Sequence, residues 1–255
     1  MKMSAPEEAR VASRARFALN ESGAPFCTEH SYELSPTDWG CQQCYERDRR
    51  NQEIAYRRQR RIDEVHHWLG SCVRDVDGLG GLPAWPFAHF DNQRWLERCN
   101  PAIVTAVRPW DFKSWLWVGA KTGDGKSSTI RAKYLDAHDR LIVSAERGPV
   151  ELPPLTVYCT GCDLAEAEKR RHFDERHALI HAVLTRSVAI IDEIMRAPVE
   201  LVFEIVDARY RAGLTTVACA GASAKDFGAL FGANVLRRFF DAGKVVDRFP
   251  KTGSK

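Results

Sequence analysis

Residues 115–127 limit most sharply what this chain can fold into. Trp115-Leu116-Trp117-Val118 is an apolar run of strand length. It leads directly into Ala120-Lys121-Thr122-Gly123-Asp124-Gly125-Lys126-Ser127, and a helix should begin near Gly125. A strand that turns through glycines into a helix belongs to an alternating α/β arrangement, in which the helix carries the chain back so that the next strand runs parallel to the first. The remaining sequence keeps that rhythm. Apolar strand-length runs at 155–159, 187–191, 215–219 and 244–246 alternate with a charged helical stretch at about 164–184. A second helical stretch at 199–212 directs Leu201, Val202, Ile205 and Val206 inward. The expectation is an α/β domain with a central parallel sheet.

The loop after the first strand has the composition of a phosphate cradle. Its glycines let successive backbone N–H groups turn toward one anion, and the helix that follows adds the partial positive charge of its N-terminus. In this Walker A pattern Lys126 is expected to reach the β- and γ-phosphates of ATP, and Ser127 to ligate Mg²⁺. Ser128 and residues 120–125 complete the expected nucleotide-binding set. Ala120 stands where the pattern usually has glycine, with Gly119 beside it to relieve the strain.

A second acidic element lies at a suitable distance. The run 187–191 ends in Asp192-Glu193. One carboxylate there is suited to holding hydrated Mg²⁺ and the next to polarising an attacking water, so Asp192 is the expected metal-side residue and Glu193 the catalytic base. Acidic residues that complement a helix dipole would give the same dipeptide, and the phosphate loop is what favours the catalytic reading.

The N-terminal third is different in kind. Residues 1–22 read as a tail or short helix. Residues 23–46 are expected to form a zinc-binding module: the chain from Cys27 to Cys44 is loop-like and carries Cys27-x-x-His30 and Cys41-x-x-Cys44, two chelating pairs suited to one tetrahedral Zn²⁺. With only Tyr32, Leu34 and Trp39 to bury, such a segment needs metal to fold. Residues 47–81 follow as a basic helical linker. Arg47, Arg49, Arg50, Arg57, Arg58, Arg60 and Arg61 outnumber Glu46, Asp48 and Glu53, which suits either a phosphate backbone or a solvated interdomain helix. Gly78, Gly80, Gly81, Pro83 and Pro86 break it, so the domain boundary is expected between Gly70 and Pro83, with the α/β domain over 82–255.

Other cysteines and histidines have plainer readings. Eight cysteines without an apolar leader suggest thiols or metal ligands, not a disulfide framework. Cys159-Thr160-Gly161-Cys162, Cys72, Cys99 and Cys219 read as buried structural cysteines. His66 and His67 read as surface groups of the linker, and His172 and His177 are poorly spaced to share a ligand face. The start, Met1-Lys2-Met3-Ser4, lacks a signal-peptide core, and no apolar run reaches membrane-spanning length. A cytoplasmic protein with no membrane partner is expected.

Taken in order, these features resemble the DnaC/IstB-like group of AAA+ ATPases over roughly residues 82–249. Leu82-Pro83-Ala84-Trp85 with Phe90-Asp91-Asn92 is similar to the segment preceding the phosphate loop in helicase loaders. Ala208-Arg209-Tyr210 is similar to the group's Arg-Tyr motif, and Val235-Leu236-Arg237-Arg238-Phe239-Phe240 to the late helix bearing its arginine finger. The resemblance implies an AAA+ P-loop NTPase domain, Arg238 as the finger with Arg237 second, and hydrolysis that requires self-association. It also implies a DnaC-type loader that places a hexameric replicative DNA helicase on single-stranded DNA, gripping it through the zinc module. An IstB-like helper acting on duplex DNA and a weakly hydrolysing zinc adaptor are the alternatives. Cys219-Ala220-Gly221-Ala222 departs from the group's polar sensor, so a slow ATPase is expected unless Ser223 or Thr216 substitutes.

Overall fold

The computed structural model describes residues 17–19, 25–30, 32–33, 41–73, 88–169 and 174–249. The chain divides into two compact units, Met1–Arg60 and Arg61–Lys255. Among the described residues no helix is long and apolar enough to cross a membrane.

In the first unit, strands β1 (Phe17–Leu19), β2 (Pro25–Cys27) and β3 (Tyr32–Glu33) form a three-stranded antiparallel sheet in the order β1-β2-β3. Residues 17–19 are thus a strand, not part of a tail or helix, and the rest of 1–22 lies outside the described residues. The loop-like expectation for 27–44 also needs correction. β2 and β3 are paired through Phe26 with Glu33 and Cys27 with Tyr32, and Cys44 already sits in the first turn of helix α1 (Gln42–Val73). Leu34 and Trp39 fall outside the described residues.

Helix α1 is longer than the basic stretch that predicts it, and the last part of it belongs to the second unit. There Val65 and Trp68 are buried, and Trp68 stacks on Tyr134 at 6.0 Å. The two compact units divide between Arg60 and Arg61. Residues 74–87, which hold most of the expected boundary and the Leu82-Pro83-Ala84-Trp85 segment, lie outside the described residues.

The second unit is α/β with one five-stranded parallel sheet, as the alternation predicts. Short helices α2 (Gln93–Leu96) and α3 (Pro101–Val107) precede strand β4 (Trp115–Gly119) and helix α4 (Lys126–Arg147). Then follow β5 (Thr156–Thr160), α5 (Gly161–Lys169), α6 (Asp174–Thr185) and β6 (Val188–Asp192). After a single 3₁₀ turn at Ile194–Arg196 come α7 (Val199–Arg211), β7 (Thr215–Ala220), α8 (Ala224–Phe231), α9 (Ala233–Ala242) and β8 (Gly243–Asp247). Within the expected helix at 164–184 the described residues are helical in α5 and α6, and residues 170–173 lie outside the described residues.

The sheet order is β5-β6-β7-β4-β8, parallel throughout. Strands β4, β6 and β7 are buried along their whole length, which is why they read as continuous apolar runs and not as alternation. One core layer joins Trp117, Leu164, Ile191, Val202, Phe227 and Phe239 on one face. The other joins Ile103, Leu116, Ile130, Tyr134 and Ile190. β4, with strands added on both sides, places its C-terminal end at a crevice, where open α/β sheets bind ligands.

A buried arginine anchors the opposite end of the sheet. Arg209 of α7 is fully buried. Its guanidinium donates to the carbonyls of Arg186 at 2.9 Å, Ser187 at 3.3 Å, Val183 and Thr215, and to Thr216 Oγ1 at 3.0 Å. Burial lowers its pKa to about 10, so it stays charged at neutral pH while five oxygens around it are satisfied. Arg209→Met is expected to destabilise the fold by about 3–5 kcal/mol, because buried carbonyls lose their donor. Urea unfolding is the check, and an unchanged midpoint would mean that these bonds contribute nothing net.

Candidate functional site: the cleft at the ends of β4 and β6 and the cysteine cluster

The turn from β4 into α4 is held by close packing on both sides. A Cβ on Gly119 would stand 2.6 Å from the Ala222 carbonyl and 2.1 Å from the Trp117 ring, so Gly119 answers a close approach and does not serve to relieve Ala120. Ala120 itself is fully buried, and its N–H donates to the Ala220 carbonyl at 3.1 Å. The extra methyl is absorbed by the core. At the other end of the loop Gly125 has φ 85°, and a Cβ there would lie 2.7 Å from Cys99 Sγ. Asn100 N–H also donates to the Asp124 carbonyl at 3.0 Å. The segment 99–100, which the sequence reading missed as a loop support, thus clamps the loop from outside.

Within the loop, Lys126 Nζ donates to the carbonyls of Ala120 and Lys121, both at 2.9 Å. Asp124 Oδ2 accepts from Lys121 N–H at 3.1 Å. Ser128 Oγ donates to the Gly125 carbonyl at 3.2 Å. The first turn of α4 opens on this loop, and the positive end of a long helix faces whatever the loop encloses.

β6 brings the acidic pair to the same place. Ser127 Oγ donates to Asp192 Oδ2 in a very short contact across 65 residues of sequence. Tyr158 O–H donates to the same oxygen at 3.0 Å. Tyr158 is buried, and burial together with the Asp192 charge pushes its pKa up, so it remains a neutral donor. Sequence reading did not find Tyr158, because its place next to Asp192 depends on the β5–β6 register, with Tyr158 opposite Ile190. Glu193 follows with its backbone in the left-handed region, φ 46° and ψ 40°, a conformation that costs a non-glycine residue about 1–3 kcal/mol. Its N–H donates to Asp192 Oδ1 at 2.9 Å. Its carboxylate pairs with Arg196 Nη1 at 3.3 Å.

These groups surround a cleft of about 640 Å³, lined by loop residues 122–123 and 125–128, by Asp192 and Glu193, by Met195 and Arg196, and by Gly221 and Ala222 after β7. That volume falls in the range of small-ligand sites. Ala120, Lys121 and Asp124 shape the loop and do not line the cleft. Arg196 is a second cation at the cleft that the sequence reading missed. The 3₁₀ turn after Glu193 is what brings it back toward the carboxylate.

The expected sensor substitutes are engaged elsewhere. Thr216 lies at the start of β7 and accepts from Arg209, at the far end of the strand from the cleft. Ser223 Oγ donates to Asp226 Oδ2 at 2.6 Å and accepts from Asp226 N–H at 3.1 Å as the N-cap of α8. Neither offers a hydroxyl to the cleft. Arg238 pairs with Asp207 and lies over Tyr210 at 5.5 Å and Phe203 at 5.8 Å. Arg237 pairs more loosely with Asp241 at 3.3 Å, and its side chain is 77% exposed.

The cysteines sort by burial. Cys99, Cys159 and Cys219 are buried, and burial pushes each thiol up. Cys162, expected to be buried, is exposed: it sits in the first turn of α5 with Arg196 Nη1 3.6 Å away. His66 and His67 are exposed on α1, and His66 Nδ1 meets His138 Nε2 at 3.0 Å. His172 and the side chains of Cys72 and His177 lie outside the described residues.

In the first unit Cys27, His30, Cys41 and Cys44 come together, their ligand atoms all within 4.8 Å of one another. His30 Nδ1 is 3.6 Å from Cys27 Sγ, 3.6 Å from Cys41 Sγ and 3.3 Å from Cys44 Sγ, and Cys27 and Cys44 are 3.5 Å apart. Bond lengths of about 2.3 Å to sulfur and 2.0–2.1 Å to nitrogen put tetrahedral donors roughly 3.6–3.8 Å apart, so these four fit one Zn²⁺. Burial opposes ionisation of Cys27, but hydrogen bonds from His30 and from backbone N–H groups prevail and lower it to about 6. Burial and the two neighbouring thiols push Cys44 up to about 11. Arg47, in the second turn of α1, pairs with Glu29 beside the cluster.

No described protein family matches the chain, and no curated protein matches its sequence. Among solved structures, the chain is similar to a protein described as a primosome component from Streptococcus pyogenes serotype M3, at 20% identity and a TM-score of 0.42, covering 58% of this chain and 79% of that one. It is also similar to the DnaC helicase loader, at 17% identity and a TM-score of 0.41, covering 62% and 90%. A third is DnaI, at 14% identity and a TM-score of 0.42, covering 71% and 92%.

Proposed function

We propose that the chain is an AAA+ ATPase of the helicase-loader kind, which binds ATP in the cleft at the ends of β4 and β6 and uses it to control engagement with a replicative helicase and single-stranded DNA. The observation that carries the nucleotide reading is the meeting of Ser127 and Asp192 on one edge of the cleft, beside a glycine loop that opens a helix. A hydroxyl and a carboxylate side by side at a phosphate loop are the donor set for a magnesium–nucleotide complex. The loader assignment is supported by the sequence resemblance and by a separate first unit in which Cys27, His30, Cys41 and Cys44 form a cluster suited to a metal.

In this reading the loop amides and Lys126 hold the phosphates, with the ammonium moving from the Ala120 and Lys121 carbonyls to phosphate oxygen. Ser127 and Asp192 would hold Mg²⁺, which neutralises charge on the phosphates. Glu193 accepts a proton from the attacking water, and ADP and phosphate result. Arg237 is exposed enough to reach a neighbouring copy, whereas Arg238 would first have to leave Asp207. The bare wall at Gly221 and Ala222 supports slow turnover, and it favours a nucleotide-binding adaptor as the second reading.

ATP turnover with and without helicase and single-stranded DNA separates the two. Glu193→Gln is expected to bind ATP within about twofold of wild type and to turn over about 100-fold more slowly, because the amide keeps the shape and loses the base. Wild-type protein that hydrolyses nothing under any partner condition would leave the adaptor reading.

A further inference from the structure

We propose that one face of helix α1 in the first unit is a binding surface for single-stranded nucleic acid, made by Tyr45, Arg49, Gln52, Tyr56 and Arg60. It rests on the loader reading for its ligand, single-stranded DNA, and gives that ligand a contact surface away from the ATP cleft. The spacing of these five residues keeps them on one side of an α-helix, since each step of three or four residues returns to nearly the same direction. All five are exposed. Tyr45 and Tyr56 are each 68% exposed, although an aromatic ring placed only for stability would be covered. They stand three turns apart, roughly 16 Å along the axis.

Charge selects the occupant. Between Gln42 and Arg60 there are six arginines and three acidic residues. The acids are held within the helix: Glu53 pairs with Arg57 at 2.5 Å, Glu46 accepts from Gln42 at 2.8 Å, and Asp48 lies 3.7 Å from Arg47. Arg49 and Gln52 between the two rings and Arg60 one turn beyond Tyr56, with no acid among the five, match a polyanion. A groove for a partner helix would instead present aliphatic anchors at these steps. Exposed rings interleaved with guanidinium groups are how proteins hold unpaired bases: each ring stacks one base, and the arginines follow the phosphates. A duplex keeps its bases stacked on each other and would gain nothing from the tyrosines.

The test uses the full chain and a fluorescently labelled oligothymidine, read by anisotropy over a range of salt. Tyr45→Ala with Tyr56→Ala is expected to weaken binding by about tenfold or more, while Tyr45→Phe with Tyr56→Phe stays within about twofold, because stacking needs the ring and not the hydroxyl. Arg49→Ala with Arg60→Ala is expected to flatten the salt dependence by a slope of about 1–2. ATP affinity should be the same in all of these variants, so a loss of nucleotide binding in Lys126→Ala alone bears on the ATPase reading and not on this one. The proposal is overturned if the alanine pair binds oligothymidine as wild type does, if duplex of equal length binds as well and is equally weakened, or if wild type binds neither. Loss of a purified protein partner by the alanine pair, with oligothymidine affinity intact, also overturns it and gives the face to that protein.

Discussion

Lys126→Ala is expected to weaken ATP binding by about 100-fold without unfolding the protein. The side chain spends its charge on two loop carbonyls, Ala120 and Lys121, and it is Lys126 itself that lines the cleft, where a phosphate can replace them. Its loss therefore costs the fold little. Toward a triphosphate, by contrast, the ammonium makes charge-assisted hydrogen bonds worth about 1.5–3 kcal/mol each, and one or two of them amount to roughly two decades of affinity. Titration with a fluorescent ATP analogue measures the effect, with circular dichroism as the control for folding. Equal affinity in mutant and wild type would remove the phosphate-loop assignment, whatever the appearance of the loop.

Cys41→Ser combined with Cys44→Ser is expected to abolish zinc binding, and with it the folded state of the first unit, while changing nucleotide affinity by less than about threefold. The reason lies in what that unit buries. The buried cluster among its described residues consists of Cys27, Cys41 and Cys44 themselves. Among the described residues the core of this unit is its own ligand set, and structural zinc supplies roughly 10–16 kcal/mol in such modules. The second unit has a five-stranded sheet and two core layers of its own. Metal analysis of the reduced wild-type protein comes first, and less than stoichiometric zinc would defeat the assignment. Limited proteolysis of the double variant then reports on the first unit. If a helicase partner still binds the double variant, the contact lies outside the zinc module.

Much of the α/β unit was legible in the sequence, for a local reason. A strand buried on both faces must be apolar throughout, so 187–191 and 215–219 mark β6 and β7 to within a residue. A loop that turns from strand to helix needs glycine at left-handed positions, so Gly125 is where the pattern puts it. Other elements were hidden. α2 and α3 are too short to express a helical period. β1 to β3 are two or three residues long, below the length at which alternation can be recognised.

The site divides along the same line. The sequence alone determined the chemistry available: a glycine-flanked lysine and serine after a strand, an Asp-Glu pair ending another, and two chelating pairs of cysteine and histidine near the N-terminus. Each is a short-range pattern, and short-range patterns are what chain geometry imposes directly. Tertiary structure decided which groups meet. The sheet order β5-β6-β7-β4-β8 carries Asp192 to Ser127 and seats Tyr158 beneath it. Packing of Cys99 and Asn100 closes the loop from a segment with no motif. A 3₁₀ turn returns Arg196 to Glu193, and the capping of α8 takes Ser223 away from the cleft. Strand order and register follow from how buried faces fit across the whole domain, an energy summed over many distant contacts, and no stretch of ten or twenty residues carries that sum.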